Sequence, residues 1–404
     1  MAETLDRTRQ APTIEEIRDM VPATKDVAYL NTGTCGPMPR VAYEAMKAEH
    51  EKELTASRID ADHFPSIARA KNEVREVVAK AINARPEDIA VTHRTTEGMY
   101  IAIMGYPWER GDELILSNIE HPGGMLPSFL TKRRFGTRIR VADIGLGGGD
   151  PADIVRAFEE KITPKTKMIV ISHISYTTGA KLPVKEITEM AHSHDVLVVV
   201  DAAQSFGSMQ LDMQDLDVDF YAMPGQKWMC GPEGTGSLYV KPSIIGEIDQ
   251  TFAGGAMPGT LDYYGGSFAP PAGAARFDTA GQSVTQTIGQ KAATEWVTQT
   301  VGMDLVAERI NKLVNYAYDE MEKVDGLTIV TPREAASGLI AFNVDGIEPP
   351  DLNARLAQEH NVIIRHVTRY INNPDAARVS LGFYNTEEDV DRFIAGIKAI
   401  QQTL

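Results

Sequence analysis

The chain has 404 residues, 43% apolar and 24% charged, with 40 Lys plus Arg against 56 Asp plus Glu and a formal net charge of −16. This is ordinary globular composition, and the acidic balance argues against binding a nucleic-acid backbone, which needs concentrated positive charge. No apolar run is long enough to span a bilayer, the opening MAETLDRTRQ lacks the apolar stretch of a secretory signal, and two cysteines, Cys35 and Cys230, are too few for a disulfide framework; the expectation is a cytoplasmic enzyme without membrane or nucleic-acid partners.

In chain order, residues 88–240 alternate between two textures. Short β-rich runs (88–93, 113–117, 138–144, 167–172, 196–201 and 219–223) are separated by stretches with helical spacing. In 152–162, Ile154, Phe158 and Ile162 recur every four residues, and Val184, Ile187 and Met190 or Ala191 do the same in 184–194, which places each set on one helical face. The run VLVVV is apolar at consecutive positions, as a strand covered on both faces requires. Repeated strand–helix–strand units predict a parallel α/β sheet, whose ligands bind at the carboxyl ends of the strands. Residues 254–281, rich in Gly, Pro and Ala, read as a long irregular connection. A helical stretch over about 284–324 follows, then β-rich runs at 326–330, 338–344 and 361–367, and an amphipathic helix in 385–400 opened by an Asn-Thr-Glu-Glu cap region. The expected division is an N-terminal segment 1–26, a large domain 27–283 and a smaller α+β domain 284–404.

Three strand ends carry the chemistry. Asp201 directly follows VLVVV, Lys227 lies just past DFYAM, and HRTTEG at 93–98 leads into a predicted helix. A carboxylate ending a buried strand needs a partner. Free backbone N–H groups at a helix start, with the Thr95 and Thr96 hydroxyls, can hold a phosphate. A lysine for a Schiff base, an acid for a pyridinium nitrogen and a phosphate cup together describe a pyridoxal phosphate site. No metal site is read: His192 and His194 fit the end of a helix, where the dipole favours them. GLGGGD at 145–150 has Asp150 where a dinucleotide loop needs its third glycine, so it reads as a turn.

The stretches YLNTGTCGPMP 29–39, TTEG 95–98, EHPGG 120–124, ISHISYTTG 171–179, DAAQSFG 201–207, GQKWMCGPEGTG 225–236 and RVSLGFYNTEEDVDRF 378–393 resemble the class V aminotransferase family of fold-type I pyridoxal phosphate enzymes, which includes cysteine desulfurases, isopenicillin N epimerase-like proteins and cystine C–S lyases. The resemblance implies a large domain with a mainly parallel seven-stranded sheet, a small C-terminal α+β domain, and a homodimer with active sites near its interface. It implies that Lys227 forms the internal aldimine and moves the α-proton, that Asp201 keeps the ring nitrogen protonated, that Gln204 bonds the ring phenolate oxygen and that His121 stacks on the ring. Thr95 and Thr96 match the phosphate-loop pair, and Arg378 matches the arginine that grips the substrate carboxylate, a task for its bidentate fork. Thr279 or Ser283, in ARFDTAGQS 275–283, would reach across to the partner's phosphate.

The departures are informative. Before the lysine the family usually carries Ser or Thr, any residue, then His; here Pro224, Gly225 and Gln226 stand. Pro224 has no donor, while Gln226 can still donate to the phosphate through its amide. Tyr176 replaces an Asn that many relatives place near the ring oxygen, and is read as substrate-binding. Desulfurases carry a nucleophilic cysteine just after the segment matching 362–370, and no cysteine follows Cys230 here. The resemblance to cystine lyases around EHPG, SHISYTTG and GQKW…CGP implies C–S β-elimination on cystine or a cysteine conjugate, with which the absent desulfurase cysteine agrees; transamination and epimerisation are alternatives sharing the first steps. A non-catalytic protein that kept the fold and a nucleotide-dependent dehydrogenase are the competing readings of other classes. Arg365 reads either as a second substrate contact or as a surface ion-pair partner, Cys35 either as an inert thiol or as an acid–base or gating group, and Cys230 as packing.

Overall fold

The computed structural model describes residues 11–56, 59, 61–254, 259–367 and 375–404. The stretch after 367 in which a desulfurase cysteine would fall begins outside them, as do residues 255–258 of the Gly/Pro-rich run. The strands are β1 (Ala28–Tyr29), β2 (Ile89–Thr92), β3 (Glu113–Ser117), β4 (Arg138–Ala142), β5 (Thr166–Ser172), β6 (Leu197–Asp201), β7 (Phe220–Pro224), β8 (Gly236–Val240), β9 (Thr260–Asp262), β10 (Ser267–Ala269), β11 (Leu327–Ile329), β12 (Leu339–Val344), β13 (Val362–Ile363), β14 (Arg365–Val367) and β15 (Ala376–Ser380). The α-helices are α1 (Ile14–Met20), α2 (Arg40–Thr55), α3 (His63–Ala81), α4 (Thr95–Met104), α5 (Pro122–Phe135), α6 (Pro151–Glu159), α7 (Val184–His192), α8 (Met213–Leu216), α9 (Val284–Glu295), α10 (Met303–Met321), α11 (Pro349–His360) and α12 (Glu387–Gln401).

Seven strands form the main sheet in the order β2-β8-β7-β6-β5-β3-β4. Neighbours from β7 to β4 are parallel, and β8 runs antiparallel to both β7 and β2. Alternation explains why the sheet is buried on both sides. Ile169, Ile171, Val198, Val200 and Tyr221 face one core with Val74 and Val78 of α3, Phe158 of α6 and Ile187 of α7. Met168, Val170, Val199, Phe220 and Ala222 face the other, with Met99 and Ala102 of α4 and Met125 of α5. The first core continues into the C-terminal region through Trp228, Trp296, Phe342 and Phe393.

The C-terminal region holds a four-stranded antiparallel sheet, β11-β12-β15-β14. The short strand β1 pairs with β13, Ala28 against Val362 and Tyr29 against Ile363, so the chain between 28 and 36 passes from this region to the mouth of the large sheet. Capping boxes open α1 (Thr13 with Glu16) and α12 (Thr386 with Asp389), and α11 ends at Asn361 with φ 54°.

Three expectations need correction. The helical stretch from 284 is two helices joined by a π-helix, Trp296–Gly302, and Gly302 at φ 88° opens α10; a continuous apolar pattern hides such a break. The Gly/Pro-rich run contains the antiparallel hairpin β9–β10 and a 3-10 turn, Ala274–Phe277, rather than only irregular chain. Strand β8 was not anticipated, because GSLYV is short and opens on a glycine. The GLGGGD stretch does form a turn leading into α6, with φ positive at Gly145, Gly147 and Gly149.

Candidate active site

The carboxyl ends of β3, β5, β6 and β7 form one rim. Asp201, the last residue of β6, pairs in register with Ser172 of β5 and Ala222 of β7. It is buried, and its Oδ1 accepts the Ala203 N–H at 2.9 Å. Beyond β7 the chain makes a tight turn closed by Gly231 N–H to Gly225 O and Cys230 N–H to Lys227 O, both 2.9 Å. Cys230 holds φ 56° to complete it. The 31–36 loop packs on this turn, with Gly36 N–H donating to Gln226 O at 2.8 Å. A Cβ on Gly36 would lie 2.3 Å from Lys227 O, so only glycine permits the approach. Lys227, partly buried, is thereby held in the site; burial lowers its pKa to about 8, opposed by the Asp201 carboxylate.

The start of α4 is an open anion cup. Its N-cap, Arg94, supplies no side-chain cap, and the buried Thr95 hydroxyl has no hydrogen-bond partner. Thr96 Oγ1 lies beside Gly123, where an added Cβ would stand 3.0 Å from both Thr96 Oγ1 and His121 Nδ1. The buried Gln226 Oε1 is likewise without a partner. The free N–H groups and the orphaned Thr95 hydroxyl at this uncapped helix start are donors an anionic ligand would complete, whereas the Gln226 oxygen is an acceptor and only its amide N–H could serve such a ligand.

His121 is the N-cap of α5. Its Nδ1 accepts the Gly123 N–H at 2.9 Å, so the proton of the neutral ring sits on Nε2. Burial, aided by the Lys227 and Arg378 charges and opposed by Asp201, lowers its pKa to about 4. The imidazole meets Tyr176 edge-on, centroids 5.0 Å apart.

Arg378, on β15, is wholly buried. Its Nη1 donates to Tyr176 O at 2.8 Å, and its guanidinium lies 5.2 Å from the Tyr176 ring centroid. Nε and Nη2 have no partner, and no carboxylate pairs with the residue among the described residues. Burial lowers its pKa to about 10. Arg365 stands directly opposite on β14. It is exposed, makes no ion pair among the described residues, and its charge depresses the pKa of Lys227, His121 and Arg378. Its field therefore acts on the site.

Gln204 is near but committed. Its Nε2 donates to Gly33 O at 3.0 Å and its Oε1 accepts from Trp228 Nε1 at 2.9 Å, leaving one amide proton for a ligand. Thr279 hydrogen-bonds Glu97 at 3.0 Å and lies 3.3 Å from His93 Nδ1, so it sits at the foot of its own chain's α4. Ser283 caps α9 through Gln286 N–H. The loop carrying both is pinned by Asp278 to Arg75, to Lys71 at 3.3 Å and to Val91 N–H at 2.9 Å. The Cys35 thiol bonds Glu233 at 3.2 Å; burial, then Glu233, push its pKa up to about 11. His192 ends α7 and bonds Asp219 at 2.9 Å, away from these residues. Among the described residues no His/Cys/Asp/Glu group could hold a metal.

Sequence reasoning missed Glu120. It is 1% exposed, and its two oxygens accept from Ser117 and Ser172. Only its place before His121 marked it.

An amine with a lowered pKa, a buried carboxylate, an uncapped helix start with an orphaned hydroxyl, a neutral imidazole and an arginine with two open donors match what pyridoxal phosphate and an amino-acid carboxylate require.

A family model for aminotransferase class-V matches residues 28–393. The cysteine desulfurase of Escherichia coli O7:K1 is 30% identical over 393 residues, covering 94% of each chain. The cystine C–S lyase C-DES, in complex with its product cysteine persulfide, superposes with a TM-score of 0.86 at 27% identity over 93% of this chain and 98% of its own. A C-DES mutant with glycine covalently linked to its PLP cofactor also gives 0.86, at 26% identity over 94% and 98% of the two chains.

Proposed function

The chain belongs to the class V aminotransferase family, and from that premise we propose that it is a pyridoxal phosphate enzyme that cleaves the C–S bond of a cysteine-type amino acid, with cystine or a cysteine conjugate as substrate. The observation that carries the amino-acid reading is Arg378, a buried guanidinium with no acidic partner among the described residues and two donors, Nε and Nη2, unsatisfied. Those two N–H groups lie along one edge of the fork and match a carboxylate.

Pyridoxal phosphate, when bound, supplies an electron-withdrawing ring that stabilises negative charge at the substrate Cα. Thr95, Thr96, Gln226 and the open N–H groups of α4 hold its phosphate. Asp201 holds a proton at the ring nitrogen, His121 covers the ring, and the remaining Gln204 amide proton serves the phenolate oxygen. Lys227 Nζ anchors the cofactor and, as a neutral amine, moves the Cα proton. Arg378 orients the substrate carboxylate, with Tyr176 as its support and Arg365 as a second positive group near the substrate. With the Cα proton taken by Lys227, the Cα–H electron pair would become the Cα–Cβ double bond as the sulfur leaves with the C–S pair, and hydrolysis of the released enamine would give pyruvate and ammonia.

The choice of elimination draws on the C–S cleavage named for C-DES and the desulfurase relatives, together with the missing cysteine. Cys35 and Cys230 are the two cysteines of the chain, and neither follows the segment that carries the nucleophile in desulfurases. We further propose a homodimer. The hairpin β9–β10 is exposed on every residue, with Leu261 at 65%, Tyr263 at 83% and Tyr264 at 99%. An isolated two-stranded ribbon needs a surface to lie on, and a second copy provides one while its 275–283 loop, through Thr279 or Ser283, would approach the phosphate. Both cysteines are free, which suits the cytoplasm, and no described helix is long and apolar enough to cross a membrane.

The test is product analysis of cofactor-loaded protein with L-cystine and cysteine conjugates. Pyruvate in step with released thiol or persulfide establishes elimination. Intact cofactor without pyruvate overturns it in favour of transamination or epimerisation.

A further inference from the structure

Glu120 has no part in the scheme above. It lies between β3 and α5, one residue before His121, and is 1% exposed. Ser172 Oγ–H donates to its Oε2 at 2.6 Å and Ser117 Oγ–H donates to its Oε1. Ser172 is the in-register neighbour of Asp201, so one strand spacing, about 5 Å, separates the serine that holds Glu120 from the residue that faces the cofactor ring. The elements around the carboxyl contribute Ser117 from β3, Ser172 from β5, Asp201 from β6 and the neutral His121 at the start of α5. No cation pairs with Glu120 among the described residues.

Two carboxyl groups therefore share one poorly solvated rim. An isolated buried carboxylate is costly, and a second one beside it more so. Burial, augmented by the Asp201 charge and resisted by the serine hydroxyls, raises the Glu120 pKa to about 7. A positive ring nitrogen placed on Asp201 would remove the Asp201 contribution to that raised value, leaving burial opposed by the two serine hydroxyls that favour the ionised carboxyl.

We infer that Glu120 is a positioning residue whose carboxyl releases its proton to solvent when the cationic ring nitrogen of pyridoxal phosphate docks on Asp201. The inference rests on the assignment of Asp201 to that nitrogen. Its consequence is a charge relay without contact: Glu120 becomes a second anion behind Asp201 and strengthens retention of the protonated ring. The bound state carries fewer protons than the free protein. Cofactor affinity thus rises with pH up to the carboxyl's value in the free protein, near 7, and levels off above it.

The experiment titrates the cofactor-free protein with pyridoxamine 5′-phosphate, which forms no bond with Lys227, between about pH 5 and pH 8. The expected result is a wild-type to Glu120→Gln affinity ratio that climbs on the order of tenfold across this range. With a 1-deaza ring, which has no nitrogen to protonate, the ratio stays flat. A constant ratio for pyridoxamine phosphate overturns the inference while leaving the cofactor site intact. Failure of both rings to bind at any pH overturns the cofactor reading and the inference together. Should the Gln variant not fold, infrared difference spectra of the wild type decide. Loss of a protonated-carboxyl C=O stretch on binding supports the inference, and its absence overturns it.

Discussion

Tyr176 holds Arg378 from two directions: its carbonyl oxygen accepts the Nη1 proton at 2.8 Å and its ring centroid lies 5.2 Å from the guanidinium carbon. The two contacts fix the plane of the fork and leave Nε and Nη2 as the open edge. The same tyrosine meets His121 edge-on at 5.0 Å, so the open guanidinium edge and the neutral imidazole share one support.

Replacing Arg378 separates binding from folding. A buried cation with no acidic partner among the described residues is a burden on the fold, and an apolar side chain of similar length removes it. Arg378→Met is expected to leave the melting temperature of the cofactor-free protein equal or higher. For carboxylate-bearing substrates it raises KM by about 100-fold, the scale of losing one side of a buried charge pair. Thermal melts and steady-state kinetics check both halves. A fall in stability with unchanged KM assigns Arg378 a structural role.

Lys227 makes an analogous prediction with a defined pH window. Its pKa in the folded chain is about 8, against about 10.4 for a solvated lysine, so the unfolded chain binds more protons between those values. Its penalty is fully present below pH 8 and is relieved as pH rises toward the unfolded value. Cofactor-free Lys227→Met should melt higher than wild type at pH 7, with the difference shrinking toward pH 10. The same variant, mixed with pyridoxal phosphate, should show no borohydride-reducible visible band. A band of wild-type intensity would show that another amine serves.

The origin of these groups explains what could be read from the chain alone. Asp201 and Lys227 were legible because buried parallel strands write consecutive apolar runs, and a charged residue at the end of such a run points into the strand-end crevice. Thr95 and Thr96 were legible as a hydroxyl pair at a helix start. Burial was not: nothing in RVSLGF distinguishes a wholly buried arginine from a surface one, because its cover comes from Tyr176, some 200 positions earlier in the chain. Glu120 escaped for the same reason, since its partners Ser117 and Ser172 lie on different strands. The two ligands of the Gln204 amide, Gly33 and Trp228, were likewise set by tertiary approach.

Cys35 tests whether proximity to the site confers reactivity. Its pKa is pushed up to about 11 by burial and then by Glu233, against smaller opposing effects of Lys227 and Arg365. Thiolate is the reactive form, so alkylation by iodoacetamide should be slow at pH 7 and accelerate toward pH 11. Glu233→Gln removes a carboxylate that disfavours the thiolate and should shift the rate profile to lower pH. A wild-type profile with a midpoint below pH 8 would contradict the geometry and reopen an acid–base role for the thiol.

The β9–β10 hairpin provides the test of assembly. Leu261, Tyr263, Tyr264 and Phe268 are exposed on a ribbon with no core beneath it, and such a patch marks a contact surface. Serine at Leu261, Tyr264 and Phe268 together should leave the fold of each subunit intact, because these side chains support no core of their own chain. The expected outcome is a shift of the sedimentation coefficient from dimer toward monomer at micromolar concentration, with unchanged far-ultraviolet circular dichroism. If the proposed homodimer brings Thr279 or Ser283 of a second copy to the phosphate, cofactor affinity should fall in parallel. If the variant remains a dimer with full cofactor affinity, the subunits associate through another face. A wild-type chain that sediments as a monomer would remove any trans contribution of Thr279 or Ser283 and leave Thr95, Thr96 and Gln226 as the proposed phosphate site.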